Sequence, residues 1–304
     1  MSADRQSMNT SASRPVVSVF LPCFNAHVHL QQAVDSARNQ TFKDLEILVI
    51  DDGSTDPATL ALLDSLGDDV RVVRQENRGL PGARNRGFAE SQGRYVVPLD
   101  CDDWLEPEFV EKGIKALEAA GEKAFVFAHF YLEGDESGPL AKNYNGFEQL
   151  FVNQLPYCLL MPKSLWAEVG GYDETMQQGF EDWEFNIRIG LAGATGVVIE
   201  EPLFHYRVSG SGMLKSLSVG KFAELWGHIQ DKHRDAYTWS ALRRWRKHWR
   251  GKPSTYPAVL LFGFFALHRL LPNAVFNAIF RNAMKYSHTR REAAKRNRQT
   301  SLAM

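Results

Sequence analysis

The sequence predicts an α/β fold in which a mostly parallel, twisted sheet is flanked by helices. Apolar stretches of strand length alternate with segments of helical periodicity between residues 16 and 120, a pattern typical of parallel sheets with helical crossovers. Polar clusters directly follow three of these stretches, where such sheets bind their ligands. The chain has 304 residues, 44% of them hydrophobic, which suffices for one such domain and an extension.

Four apolar stretches are the predicted strands of the sheet: VVSVFL (16–21), LEILVI (45–50), VRVV (70–73) and YVVPL (95–99). Their β-branched residues favour strands, and turn-forming residues bound them. Because the carboxyl ends of parallel strands meet at one edge, the polar clusters behind them are expected to converge. These clusters are Pro22–Asn25, Asp51–Asp56 and Asp100–Asp103.

Helices are predicted between these strands, since Leu30 and Val34 recur at helical spacing and glycine or proline marks the ends of several segments. Asp56 is the expected N-cap of the second helix, with Pro57 in its first turn. The first predicted helix begins near residue 28, and the second begins after Asp56. The third spans 80–91 and the fourth spans 107–120.

The pattern is looser beyond residue 121. KSLWAEVGG (163–171) predicts a short helix stopped by Gly170 and Gly171. EDWEFNIRIGLAG (181–193) predicts an amphipathic helix with Trp183 on its core face. Strands are predicted over YCLLMP (157–162), VVIE (197–200) and LFHYRV (203–208).

Charge is distributed unevenly along the chain. From Ala241 onwards there are 14 Lys and Arg and one acid, Glu292. Subtraction from the totals of 35 basic and 36 acidic residues leaves 21 and 35 before Ala241, so the two parts carry about −14 and +13. An acidic body with a basic tail suggests contact with phosphate on lipid or nucleic acid.

The basic tail interleaves cations with Trp245 and Trp249 and adjoins AVLLFGFFAL (258–267), which is too short to span a bilayer. This combination favours a helix that lies in the interface between an anionic membrane and water. The alternative is a helical appendage that packs on the preceding α/β domain or on a second subunit. No recognised nucleic-acid-binding module accompanies the charge, so we expect no nucleic-acid partner.

The expected organisation is a disordered N-terminus at 1–13, an α/β domain at 14–214 and a helical, basic region at 215–304. The first 13 residues lack the apolar core of a signal peptide. Cys23, Cys101 and Cys158 are widely spaced and odd in number, which argues against a disulfide framework and fits a reducing compartment. We therefore expect a cytoplasmic protein, peripheral at the inner face of the membrane.

The densest polar cluster, DCDD at 100–103, puts three carboxylates within four positions. Two carboxylates at a strand tip can share Mg²⁺ or Mn²⁺, which would also bind a diphosphate. The alternative is a solvated turn whose acids stabilise the start of the helix at Pro107.

Five blocks in order place this cluster in a family context, from about Pro15 to about Met213. They resemble the family 2 glycosyltransferases, which have the GT-A nucleotide-sugar-binding fold. The blocks are VSVFLPCFN, QTFKDLEILVIDDGSTD, ENRGLPGARNRGFAESQGRYVVPLDCDDWLEP, VGGYDE and FEDWEFNIRIG.

The resemblance implies a role for each matching residue on the donor side. Pro22, Phe24 and Asp52 would hold the nucleoside, and Asn77 and Arg84 would line the base and diphosphate region. Asp100 would reach the ribose or the metal, and Asp102 would ligate Mn²⁺ or Mg²⁺.

On the acceptor side, Asp182 would be the general base, with Glu181 as the neighbouring candidate. One displacement opposite the leaving nucleoside diphosphate inverts the anomeric configuration, and the base must lie on the acceptor's face. Without the resemblance, both acids read more simply as helix-start residues. Many relatives carry a histidine after YR; here Val208 and Ser209 follow, which leaves a third protein metal ligand open.

The sequence therefore predicts an inverting, metal-dependent glycosyltransferase that moves a sugar from a UDP-sugar to a hydroxyl of a surface glycan or glycolipid. One alternative is a non-catalytic nucleotide-sugar-binding or membrane scaffold protein. Another is a nucleotidyltransferase, but LPCFNAHVHL (21–30) lacks the glycine-rich, basic loop expected there. The donor sugar, the linkage and the oligomeric state stay open.

Overall fold

A computed structural model describes residues 14–209 and 221–282. Its centre is a five-stranded sheet of order β3-β2-β1-β4-β8, in which β1 to β4 are parallel and β8 is antiparallel. The strands are β1 Val17–Cys23, β2 Leu45–Asp51, β3 Val70–Arg74, β4 Tyr95–Pro98 and β8 Met161–Pro162. The predicted α/β class and all four leading strands are confirmed.

Helices join these strands at the predicted places. Asp56 caps α2 by accepting from the backbone N–H of Thr59 at 2.8 Å, as its position before proline predicts. Gly170 ends α5 in the left-handed conformation, with φ of 81°. The helices of this half are α1 His27–Arg38, α2 Pro57–Ser65, α3 Gly79–Glu90, α4 Phe109–Ala120, α5 Lys163–Val169 and α6 Glu181–Leu191.

A second sheet, of order β5-β9-β6-β7, lies beside the first. Its long strands β6 and β9 are parallel to each other, and β5 and β7 pair antiparallel with them. The strands are β5 Trp104–Leu105, β6 Ala124–Gly134, β7 Gly138–Leu140 and β9 Thr195–Val208. Because β5 begins directly after the DCDD turn, this sheet fixes the far side of that turn.

Two strand predictions need correction in this half. VVIE and LFHYRV are parts of one continuous strand, β9, whose pairing with β6 is irregular near His129. Of YCLLMP, only Met161–Pro162 joins the sheet as β8, and Leu160 adds a bridge to Val126. Strand β6 was not predicted from the sequence.

The basic region forms a helical layer on the α/β domain: α7 Phe222–Lys232, α8 Trp239–His248, α9 Ala258–Leu270 and a helical segment at 273–282. Trp226 of α7 is fully buried, stacks on Trp183 of α6 and donates to the carbonyl of Leu150 at 3.1 Å. Tyr237 donates to the same carbonyl at 2.6 Å. Much of the described part of this region therefore packs on the preceding domain, which was the alternative to membrane contact.

Some expectations concern residues outside the described ranges. These are the disordered N-terminus at 1–13 and the boundary between 214 and 215. Within the described residues, no helix combines the length and apolar character needed to cross a bilayer.

Candidate active site

The carboxyl ends of β1, β2 and β4 open into one pocket of about 720 Å³. Of the residues predicted on the donor side, all but Arg84 line this pocket: Pro22, Phe24, Asp52, Asn77, Asp100 and Asp102. Glu181 lines it from the start of α6. Site residues as far apart in sequence as Pro22 and Glu181 therefore meet at the sheet edge where α/β proteins bind ligands.

A second cavity, of about 600 Å³, lies between α7 and α9 and is lined by residues such as His228 and His268. It contains none of the predicted site residues. The pocket at the strand ends is the better candidate for chemistry because the carboxylates converge there.

Two adjacent aspartates after β2 have different tasks. Asp51 accepts from the backbone N–H of Ser54 at 2.9 Å and so forms the turn. Asp52 accepts from Gln75 at 2.7 Å and from the backbone N–H of Arg78 at 2.8 Å, and it faces the pocket. Gly53 adopts φ of 76°, which lets the chain turn sharply between them.

Asn25 holds the loops after β1 and β2 together. Its side-chain oxygen accepts from the backbone N–H groups of Thr55 and Asp56, both at 2.9 Å. Asn25 itself has φ of 50°, a left-handed conformation that asparagine tolerates. The ring of Phe24 is left 51% exposed at the pocket, available for a planar ligand.

The DCDD turn is built around Asp103, which is buried and does not line the pocket. Its carboxylate accepts from the hydroxyl of Tyr157 at 2.5 Å and from the backbone N–H of Arg207 at 2.7 Å. The same hydroxyl accepts from the backbone N–H of Asp100 at 3.0 Å. Asp103 thus orients the turn, while Asp100 and Asp102 face the pocket.

Arg84 does not line the pocket but lies beneath it, which corrects the expectation from sequence. Its guanidinium is 2% exposed, 3.0 Å from the Asp100 carboxylate and 2.7 Å from that of Glu181. The rings of Tyr157 and Tyr172 lie 4.8 and 5.6 Å from it. Arg84 therefore supports two pocket carboxylates from behind.

Burial raises the pKa of Glu181 to about 7, with Asp182 acting in the same direction and Arg84 opposing. Burial likewise raises the pKa of Asp100, although Arg84 opposes it. Two carboxylates with raised pKa values around one cation, at a cleft, are typical of functional sites.

Asp182 is half-buried beside Glu181 and does not line the pocket. One of its oxygens accepts from the backbone N–H of Trp183 at 2.6 Å, and the other accepts from the side-chain amide of Asn153 at 3.2 Å. Burial raises its pKa. The preceding residue, Phe180, has φ of 66°, a rare conformation for an aromatic residue that aims the start of α6.

His205 does not contribute to the pocket. It stacks on Trp104 at 4.6 Å and bonds to Glu106 at 2.7 Å and Glu133 at 3.2 Å. Trp104 therefore packs within the second sheet, and the Arg207 guanidinium lies 5.1 Å from the centre of its ring. Trp183 lies in the core, as predicted.

Two pocket residues were missed from sequence. His29 lines the pocket from the first turn of α1. Arg207 lines it from the end of β9 and donates to the Asp102 carbonyl at 2.9 Å. The sequence did place both near strand ends: His29 follows the predicted strand VVSVFL, and Arg207 lies near the end of the predicted strand LFHYRV.

Among the described residues, no three His, Cys, Asp or Glu side chains form a cluster suited to hold a metal. Asp100 and Asp102 alone suit Mg²⁺ or Mn²⁺ if ligand phosphates complete the shell, since such ions are commonly held by one or two carboxylates and a phosphate. The donor set is thus compatible with a shared metal and incompatible with a closed structural site.

Comparison with known proteins places this geometry in a family. The sequence model of "Glycosyl transferase family 2" matches residues 18–182, more than half of the chain. EpsH of Bacillus subtilis, whose name assigns it provisionally to the glycosyltransferases, is 26% identical over 66% of this chain and 63% of EpsH. Chondroitin synthase of Pasteurella multocida is 36% identical over 43% of this chain and 14% of the synthase. The chain thus spans less than two thirds of either relative.

The fold also matches that of S. aureus TarS. The structure of its residues 1–349 in complex with UDP-GlcNAc has a TM-score of 0.60 and 17% identity, covering 83% of this chain and 81% of that one. At this identity the likeness shows a shared fold.

Proposed function

This chain belongs to glycosyl transferase family 2, and we propose that it transfers a sugar from a UDP-sugar to an acceptor hydroxyl. The observation that carries the proposal is the convergence of Phe24, Asp52, Asp100, Asp102 and Glu181 on one pocket. The complexes of TarS with UDP and UDP-GlcNAc support uridine as the nucleoside.

On the donor side, the exposed ring of Phe24 would pack against the base while Asp52 accepts from its ring N–H. Asp52 is well suited because Gln75 and the backbone of Arg78 already fix its carboxylate. Asn77 on the same wall would add a polar contact. Arg207, at the end of β9, would place a cation near the diphosphate.

Asp100 and Asp102 would hold Mn²⁺ or Mg²⁺ together with the diphosphate. When bound, the metal would neutralise the charge that develops on the leaving nucleoside diphosphate. Arg84 keeps Asp100 in place from below at 3.0 Å, so the turn presents its carboxylates without rearrangement.

The transfer itself would be a single displacement with inversion. The acceptor oxygen attacks the anomeric carbon, the bond to the diphosphate oxygen breaks on the opposite face, and the hydroxyl proton passes to a carboxylate at the start of α6. We assign that role to Asp182, with Glu181 as the neighbouring candidate. Their raised pKa values suit a base that works near neutral pH.

The acceptor would be a glycan or glycolipid built at the inner face of the membrane. Large apolar side chains are exposed on α9 and the segment after it: Val259, Leu260, Leu267, Leu270, Val275 and Ile279. The neighbouring α8 exposes Arg243, Arg244, Arg246 and Lys247. Apolar residues beside cations favour an anionic lipid surface. Trp249 packs inward against Tyr144, so the predicted interleaved tryptophans do not supply this contact.

The function is tested by incubating the full chain with Mn²⁺, a panel of UDP-sugars and glycan or glycolipid acceptors. UDP release with at least one donor is expected. UDP binding by calorimetry without any turnover would favour a non-catalytic binding protein. No release and no binding would overturn the proposal.

A further inference from the structure

Two cysteine thiols meet at the floor of the donor pocket. Cys23 ends β1, and Cys101 lies between the two aspartates that face the pocket. Both side chains belong to one buried cluster of the core, and each thiol shifts the pKa of the other, lowering that of Cys23 and raising that of Cys101. Cys101 also donates to the carbonyl of Pro22 at 2.9 Å, and both side chains line the pocket although they are almost fully buried.

The sheet register explains why the thiols meet. Strands β1 and β4 are parallel neighbours, and Phe20 lies opposite Pro98. Beyond Pro98 the Leu99 N–H still donates to the Phe20 carbonyl at 2.9 Å, and Cys101 lies in the turn that follows, where its thiol reaches the Pro22 carbonyl next to Cys23.

We propose that Cys23 and Cys101 are an oxidisable pair that peroxide converts to a disulfide, and that this disulfide abolishes nucleotide binding in the pocket. The second half of this inference rests on the proposed function. The third cysteine, Cys158, is buried but does not line the pocket.

The reaction balances with hydrogen peroxide as the oxidant. One sulfur attacks a peroxide oxygen and the O–O bond breaks. A sulfenic acid forms on that sulfur, and the other peroxide oxygen departs as water. The second sulfur attacks the first, the S–S bond forms, the S–O bond breaks and a second water leaves. Two thiols thereby lose two electrons and peroxide gains them; an added dithiol reverses the oxidation by exchange.

The disulfide would act on the pocket through the DCDD turn. The sulfurs must close to a bond length of about 2.05 Å. Cys101 would then draw its neighbours Asp100 and Asp102 toward β1, while Tyr157 and the Arg207 backbone hold Asp103 in place. The pocket floor would distort where the diphosphate is expected. A bound nucleotide would cover both thiols and slow their oxidation.

The test uses the full chain, treated with hydrogen peroxide, alkylated without reductant and digested with trypsin. The three cysteines fall in three different tryptic peptides, ending at Arg38, Lys112 and Lys163. A cross-link between the Cys23 and Cys101 peptides, two hydrogens lighter than their sum, is expected, with Cys158 alkylated. Saturating UDP should slow its formation.

Calorimetry of UDP binding gives the second readout. Binding should be lost after oxidation and return with dithiothreitol. Cys23→Ser and Cys101→Ser, each compared with its own untreated sample, should resist the loss, whereas the control Cys158→Ser should still lose binding.

Absence of the cross-link in peroxide-treated protein would overturn the pair, and a cross-link with unchanged UDP binding would overturn its effect on the pocket. Since the cross-link needs no nucleotide, its presence in a protein that never binds UDP would refute the proposed function and leave the pair standing.

Discussion

Arg84 and Glu181 form a buried ion pair in which the guanidinium lies 2.7 Å from the carboxylate. They are 97 residues apart in sequence, and neither side chain is more than 6% exposed. The other side of the same guanidinium holds Asp100 at 3.0 Å. One cation thus fixes the separation between the donor-side turn and the start of α6.

Arg84→Ala should lower the free energy of unfolding by about 3 to 5 kcal/mol, because it leaves buried carboxylates without a counter-ion. Urea unfolding measures this. Arg86→Ala on the same helix is the matched control; its exposed pair with Glu90 should contribute about 1 kcal/mol or less. Arg84→Lys keeps the charge but loses the forked geometry, so an intermediate loss is expected. Equal stability of the Arg84→Ala and Arg86→Ala variants would contradict this role.

Asp182→Asn should lower kcat by about 10²- to 10⁴-fold, the usual contribution of a general base, while UDP binding persists. UDP release and calorimetry measure the two effects. Asp231→Asn, on the exposed side of α7, is the control and should be silent. If Glu181→Gln loses transfer while Asp182→Asn retains it, the base is Glu181.

The transfer rate should rise with pH through an apparent pKa near 7. Burial raises the pKa of Glu181 to about 7 and raises that of Asp182, so below that pH the pair retains a proton and accepts one less readily. The apparent value belongs to the pair and not to either residue. Initial rates of UDP release from pH 5 to pH 9 at saturating donor measure it. A flat profile down to pH 5 would refute it, provided UDP binding stays constant.

The parallel half of the fold was predictable because its strands are short apolar runs that turn residues bound on both sides. Strand β6 was not, since AFVFAHFYLEG pairs with β9, which lies about 70 residues later, and a partner at that distance leaves no local pattern. YCLLMP was predicted as one strand, but only its last two residues pair with β4 as β8, because an apolar run does not show which of its residues join a sheet.

The site divides in the same way. Residues directly after strand ends, such as Asp52 and Asp102, could be placed at the pocket because the topology puts strand ends together. Arg84 could not be placed beneath it, because helical spacing does not reveal which neighbour a buried cation meets. His29 and Arg207 reach the pocket through the tertiary arrangement of α1 and β9, which spacing alone does not specify.

Glu184→Gln should destabilise the protein at neutral pH by about 3 kcal/mol, because the fully buried Glu184 binds Arg188, Lys232 and His233 at 2.7 to 2.9 Å. Burial alone would raise the pKa of Glu184, but hydrogen bonds from His233 and Arg188 outweigh it and lower the pKa to about 2. The stabilisation is therefore present above pH 4.5, the ordinary value, and is lost as pH falls toward 2.

Urea unfolding of the parent and of Glu184→Gln across this pH range tests the contribution of the Glu184 ion pairs that connect α6 with α7. The difference between them should shrink below pH 4.5. Glu118→Gln, at an exposed position on α4, is the control and should match the parent throughout. A difference that is constant with pH would show that packing, and not the charge, is what Glu184 contributes.

Leu260→Glu combined with Leu270→Glu should abolish binding to anionic vesicles, because these side chains are 60% and 79% exposed on α9. Burying two leucines in lipid is worth about 3 kcal/mol or more, roughly a hundredfold in affinity. Sedimentation with phosphatidylcholine vesicles, with and without phosphatidylglycerol, measures it. The parent should bind only the anionic vesicles, and more weakly at high salt because α8 contributes by charge. Ala119→Glu with Ala120→Glu on α4 adds the same charge at exposed positions and should leave binding intact. If the parent binds neither vesicle, or if both double variants bind alike, the apolar face of α9 does not contact lipid.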